Sequence, residues 1–331
     1  MRRREFIALL GAAVIASPRD VIAQRTERVR RIGMLVNLAE SDPQGRSRVT
    51  AFRRGLDELG WTEGRNLQVE YDWAAGSAAR MRALAKELVE RQPELIVCET
   101  TPAVAAMLEE TRAIPIVFVN VADPVGSGFV ASLARPGGKV TGFTNFDIAL
   151  GTKWLELLKQ LAPRVTRVAC IFNPDTAPQR GLFFVRPMEA AAPSFAIELM
   201  HAPVHNDDEI EAAIGAFGRE PDGGLIVIPD PFIAVHREVI LKSAARHRLP
   251  AVYPLRYYAR SGGLVAYGPD VEGLFRQAAM YVDKILKGVD PADLPVQAPI
   301  KFELAINVLT AKSLNLTVPV SLLARADEVI E

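Results

Sequence analysis

Where an apolar run ends and helical spacing begins, this sequence of 331 residues sets a capping side chain directly before a proline at Asp42-Pro43, Thr101-Pro102, Asp123-Pro124 and Asp230-Pro231. Asp and Thr accept hydrogen bonds from first-turn amides, and proline at the first helical position gives up no needed donor, so each pair predicts a helix start. A helix N-terminus presents free N–H groups and about half a positive charge, which suits a carboxylate or similar anion. Any one pair alone reads as an ordinary helix start; four at one edge of two lobes predict a ligand cleft. Near those turns lie Asn37, Ser41, Thr100, Asn120, Thr144, Asn145, Asn173, Tyr257 and Tyr267. Neutral hydrogen-bonding groups mixed with aromatic rings suit a small polar or amphipathic molecule.

Signals for catalysis are sparse. His201, His205, His236 and His247 show no metal-ligand spacing, and no G-x-S-x-G elbow, Walker A loop or complete G-x-G-x-x-G fingerprint is present. No metal and no cofactor is therefore expected. Cys98 and Cys170 raise one alternative, a racemase-like enzyme in which a thiol from each lobe serves as acid or base. Cys170 lies three residues before the end of its strand at Asn173 and should be buried, where cysteine behaves as a small hydrophobe.

These residues need a scaffold, and the chain past residue 30 repeats one phrase: a short apolar run, a polar turn, then a stretch with helical spacing. The runs cover 32–36, 67–71, 95–98, 116–119, 168–172, 225–228 and 264–266. Short apolar strands without polar alternation predict parallel sheets covered on both faces. Helical spacing covers 46–59, 78–90, 103–111, 154–161, 209–217 and 235–247, with Gly60 and Gly288 at expected helix ends. The alternation predicts an α/β fold of two doubly wound, Rossmann-like lobes. Breaks rich in Gly and Pro at 135–142, 267–270 and 291–299 predict three crossings between them, with a helix over 271–287 returning to the first lobe. The expected division is 30–142 plus 270–295 for the N-terminal lobe and 143–269 plus 296–331 for the C-terminal lobe.

Composition narrows the partner. Lys+Arg and Asp+Glu are 39 each, and no basic block offers the phosphate neutralisation that nucleic acid requires. Two cysteines make no disulfide framework, and no apolar run reaches the roughly 18–20 residues of a membrane span. Residues 1–23 read as an export signal: Arg2, Arg3 and Arg4, an apolar stretch over 6–16, and small or apolar residues at Val21 and Ala23. Arg3-Arg4-Glu5-Phe6-Ile7 resembles the twin-arginine pattern, although Arg2 and Ala8 stand where that pattern has Ser or Thr and Lys. No cysteine lies near residue 23, so the expected product is a free periplasmic protein without a lipid anchor.

Four stretches carry a family resemblance: Ala51-Phe52-Arg53-Arg54-Gly55-Leu56 with Leu59-Gly60-Trp61; Val121-Ala122-Asp123-Pro124-Val125-Gly126; Leu133-Ala134-Arg135-Pro136-Gly137-Gly138 with Thr141-Gly142-Phe143; and Lys301-Phe302-Glu303-Leu304-Ala305-Ile306-Asn307. Over 31–331 the chain resembles ABC-transporter substrate-binding proteins related to tryptophan and tyrosine uptake. The resemblance implies a type I periplasmic binding fold, a monomer, and an ABC permease and ATPase of the inner membrane as partners. It places Asn37, Ser41, Asp42, Thr100, Thr101, Val121, Asp123, Thr144, Asn145, Asn173, Asp230 and Tyr257 along the cleft. One departure is that Glu99-Thr100-Thr101-Pro102 stands where the family often has Ser-Gly-Thr-Pro. The expected ligand is a small carboxylate-bearing metabolite, an amino acid or organic acid, with its acid group at Thr101-Pro102 or Asp42-Pro43. A ligand-sensing domain feeding a receptor would share the same fold.

Overall fold

The computed structural model describes residues 29–145 and 147–331, and the export reading of residues 1–23 lies outside them. The first lobe runs β1 (Arg30–Val36), α1 (Pro43–Glu58), β2 (Leu67–Trp73), α2 (Ala78–Glu90), β3 (Leu95–Glu99), α3 (Thr101–Glu110), β4 (Ile116–Val121) and β5 (Val140–Thr144). Its five strands are parallel in the order β2-β1-β3-β4-β5. Successive side chains along a strand face opposite sides, and the apolar runs therefore feed two cores. Ile32, Met34, Val36, Val97, Val117 and Val119 join Phe52 and Leu56 of α1 in one cluster. Leu35, Ile96, Cys98 and Phe118 join Met81, Leu88, Val104 and Met107 of α2 and α3 in the other.

The second lobe runs α4 (Leu150–Leu161), β6 (Arg167–Phe172), α5 (Leu182–Ala191), β7 (Glu198–Pro203), α6 (Asp207–Gly218), β8 (Gly223–Val227), α7 (Pro231–Val235), α8 (Arg237–Arg246), β9 (Ala251–Tyr253), α9 (Arg256–Arg260) and β10 (Val265–Pro269). The chain then forms α10 (Val271–Leu286), which packs along α1 of the first lobe, before closing with β11 (Phe302–Asn307), α11 (Val308–Ser313), α12 (Val320–Leu323) and β12 (Glu328–Ile330). The second sheet has the order β12-β11-β10-β9-β8-β6-β7 and is parallel except where β10 meets β11. Gly55 permits the α1–α10 approach, since a Cβ there would lie 2.6 Å from the Arg276 carbonyl oxygen. Trp61 Nε1 donates to Asp283 Oδ1 at 2.9 Å and pins the end of α1 to the same helix.

Several local expectations need correction. The Gly/Pro break at 135–142 is not only a linker, because its last residues start β5, paired with β4. The segment 182–191 forms α5 despite an internal Pro187, and β7 is an edge strand with little apolar burial to betray it. Of the four cap–proline pairs, Asp42 and Asp230 do cap helices, accepting from Gln44 N and Ile233 N, each at 2.8 Å. Thr101 is already the first residue of α3, behind Thr100. Asp123 caps no helix: its Oδ1 accepts from Gly126 N at 2.8 Å and closes a turn instead. A turn with glycine three residues after the Asp satisfies the carboxylate without continuing as a helix.

Candidate functional site: a closed cleft between the lobes

The carboxyl ends of β1, β3, β4 and β5 face those of β6, β8 and β9, and a cavity of about 50 Å³ lies between them. The first lobe lines it with Asn37, Arg48, Thr100, Thr101, Asn120, Ala122 and Asn145; the second with Thr176, Pro178, Asp230, Pro231, Tyr257, Tyr258 and their neighbours. That volume holds a few waters or the polar head of a small metabolite.

Among the described residues, two buried polar atoms of this lining have no hydrogen-bond partner, Thr100 Oγ1 and Asn145 Oδ1. Thr100 sits at φ 78, ψ 158, a region that disfavours branched side chains. Its N–H donates to Val119 O at 3.0 Å, which locks the backbone while the hydroxyl makes no cap. Asn120 is also left-handed, at φ 65, where the β4–β5 register shifts between Val119 and Val121. An irregularity of this kind re-aims a side chain. Asn120 Oδ1 thereby accepts from Asn145 Nδ2 at 2.6 Å, leaving the Asn145 oxygen unmatched.

Charge in the wall is paired. Glu99, the last residue of β3, contacts the Arg48 guanidinium through Oε1 and accepts from Asn37 N at 3.1 Å through Oε2. Burial works against the Arg48 charge, but Glu99 foremost, then Tyr257 and Asp42, outweigh it and hold its pKa above the ordinary value. Across the cleft, burial pushes the Asp230 carboxyl up to about 6, against the lowering effect of its donors. Those donors are Asn173 N at 2.9 Å, Thr176 Oγ1 at 3.0 Å and Ile233 N at 2.8 Å. Tyr257 is buried and stacks on Tyr258, with ring centroids 4.5 Å apart.

Of the residues expected along the cleft, Asn37, Thr100, Thr101, Asn145, Asp230 and Tyr257 line this cavity. The others stand elsewhere. Ser41 is exposed. Asp42 sits at the cleft edge, bound to Arg237. Val121 is a core residue that contributes only its carbonyl, accepting from Asn145 N at 3.3 Å. Asn173 orders the loop carrying Thr176 through Asp230 and Asp175 N. Asp123 and Thr144 line a neighbouring groove of about 620 Å³ together with Phe183, Tyr267 and Phe302.

Sequence reasoning missed Arg48, Tyr258 and Thr176. For Arg48 a signal existed: it shares the buried stripe of α1 with Phe52 and Leu56, where an unpaired cation would be costly. Cys98 and Cys170 are both fully buried in strands of different sheets, burial pushes both thiols up, and neither lines the cavity. Among the described residues no group of three His, Cys, Asp or Glu could hold a metal ion, and no helix is long and apolar enough to cross a membrane.

Residues 33–330 match the family described as ABC transporter substrate binding protein. The chain belongs to that family. Within it the chain is 28% identical over 265 residues to a tyrosine-binding protein of Clostridioides difficile, covering 80% of this chain and 75% of that one. A conserved domain protein from Vibrio cholerae is 27% identical and superposes with a TM-score of 0.84, covering 91% of this chain and all of the other. An ABC domain from Streptococcus pneumonia, solved in complex with L-Trp, is 24% identical with a TM-score of 0.83, covering 91% and 99% of the two chains. The two-lobed fold is that of type I periplasmic binding proteins. This substrate-binding protein is thus a component of an ABC transporter and belongs to a family that does not catalyse, which removes the racemase alternative.

Proposed function

We propose that the cleft captures a small carboxylate-bearing metabolite, with aromatic amino acids the first candidates because relatives are described as binding tyrosine and L-Trp. The observation that carries this reading is the pairing of α3's first turn with two unmatched buried polar atoms on the cavity wall, Thr100 Oγ1 and Asn145 Oδ1. A helix terminus favours an anion, Asn145 Oδ1 accepts from a ligand N–H or O–H, and the Thr100 hydroxyl can donate or accept. The carboxylate belongs at Thr101 rather than at α1, since Asp42 already fills the α1 terminus with its own carboxylate. Tyr257 covers the ligand from the second lobe.

The same reading has residues 1–23 exporting the chain to the periplasm without a lipid anchor, for delivery to an inner-membrane permease and ATPase. It divides the protein into lobes of 30–142 plus 270–295 and 143–269 plus 296–331. Calorimetry with L-tyrosine, L-tryptophan and their neutral carboxamides tests the site. Tighter binding of the acids, by about tenfold or more, is expected from a charge-assisted contact. Equal affinity for acid and amide would remove the carboxylate from the helix terminus.

A further inference from the structure

Two aspartates of the first lobe are built alike on opposite flanks of the cavity. Asp42 accepts from Gln44 N through Oδ1 at 2.8 Å and from Arg237 Nη1 of the second lobe through Oδ2 at 2.7 Å. Asp123 accepts from Gly126 N through Oδ1 at 2.8 Å and from Gln179 Nε2 of the second lobe through Oδ2 at 2.8 Å. Each carboxylate holds its own turn with one oxygen and the facing lobe with the other. Protein atoms alone complete both bonds.

The two flanks differ in strength. The Asp42–Arg237 side chains are only 12% and 15% exposed, and Arg237 is braced by Ala234 O at 2.9 Å. The same edge carries Asn37 Nδ2 donating to Pro231 O at 3.4 Å, and it packs Val235 so closely on Gly76 that a Cβ there would lie 2.8 Å from it. The other flank rests on a neutral, exposed amide. Gln179 and Arg180 are both left-handed, at φ 50 and φ 56, a conformation that non-glycine residues adopt only at a cost. Beside this bond lies the 620 Å³ groove, whose wall shares Ala122 with the inner cavity and whose rim includes Asp123.

We infer that Asp42 and Asp123 are two-ended tethers that hold the lobes closed, and that the Asp123–Gln179 bond parts first, joining the inner cavity to the lateral groove as the ligand's way in. Asp42, Asp123, Arg237 and Gln179 are positioning residues that set affinity through the closed population rather than by touching ligand. This goes beyond the proposed ligand class and stands or falls without it.

The test uses the full mature chain without added ligand. Nitroxide labels go on Arg82→Cys and Lys242→Cys, on exposed faces of α2 and α8, while the buried native cysteines stay unlabelled. Asp42→Asn keeps an N-cap residue, and Gln179→Ala leaves the Asp123 turn intact, so each removes one tether. The parent should populate a short inter-label distance beside a long one; Asp42→Asn should lower the short population, and the double variant should leave only the long one. In an Ala122→Cys background, Gln179→Ala should speed alkylation by iodoacetamide about tenfold, and more than Asp42→Asn does. A broad parent distribution unmoved by either change would overturn the tethers. Faster alkylation in Asp42→Asn would overturn the order of opening. Melting temperatures that fall in step with alkylation would replace both with local unfolding.

Discussion

Arg48 of α1 and Glu99 at the end of β3 pair inside the cleft wall, their side chains 5% and 0% exposed. Glu99 also receives the Asn37 amide at 3.1 Å, so one carboxylate fixes the ends of two adjacent strands and the helix between them. Glu99, the expected departure from the family pattern, is therefore not a free charge facing the cavity. It is neutralised from behind.

Removing half of this pair should cost far more than removing both. Glu99→Gln preserves shape and the Asn37 contact but strands the Arg48 charge, with an expected loss of about 3–5 kcal/mol. Glu99→Gln with Arg48→Met should recover much of that loss. Urea midpoints at constant m-value are the measurement, and a double variant no better than the single would deny the coupling.

Thr100 sets stability against binding. At φ 78 its side chain is strained and its hydroxyl is unmatched. Thr100→Gly should stabilise the fold by about 1 kcal/mol, the relief of strain exceeding glycine's entropic penalty. The same change should weaken binding of L-tyrosine or L-tryptophan several-fold. Thermal melts and calorimetry on one preparation decide it, and a variant that is both less stable and equally tight would be the contrary outcome.

Asp230 gives the protein an acid preference. Its carboxyl is raised by burial from 3.8 to about 6. The folded state then holds a proton that the unfolded chain releases, and this stabilisation, full below about pH 4, fades as pH rises through about 6. Between pH 5 and pH 7 the loss should be about 1 kcal/mol. Asp230→Asn should flatten that slope in denaturant titrations while lowering stability overall, since one acceptor is replaced by a donor. Asp72, also raised by burial, keeps a residual slope.

The cysteines should be silent. Both thiols are buried and pushed toward the protonated form. A disulfide reagent should react with neither until denaturant is added, and Cys98→Ala and Cys170→Ala should leave ligand affinity within about twofold. Solvent deuterium should not enter an enantiopure amino acid incubated with the protein.

Export offers a separate check on the N-terminal segment. Changing Arg3 and Arg4 together to Lys should retain the precursor in the cytoplasm if the twin-arginine route carries it. Normal delivery of that variant would assign export to the general route.

What could be read from the chain alone was local and periodic. The fully buried runs of β1, β3, β4, β6 and β8 announced a parallel sheet, because a strand covered on both faces cannot alternate with polar residues. Asp42 and Asp230 were legible as caps because capping is settled within a few residues. What each cap does with its second oxygen was not legible, since Arg237 and Asn173 reach those oxygens only after the lobes and loops are in place. The same holds for Arg48, whose partner Glu99 lies 51 residues away in sequence. Val121 and Asn120 exchange roles through a one-residue irregularity in β4, which turns one side chain into the core and leaves its neighbour to the cleft. Sequence thus determined the elements, through periodicity and short-range hydrogen bonds. Tertiary structure alone decided which polar atoms were consumed and which, Thr100 Oγ1 and Asn145 Oδ1 among them, were left unmatched, because that balance depends on groups brought together from distant parts of the chain.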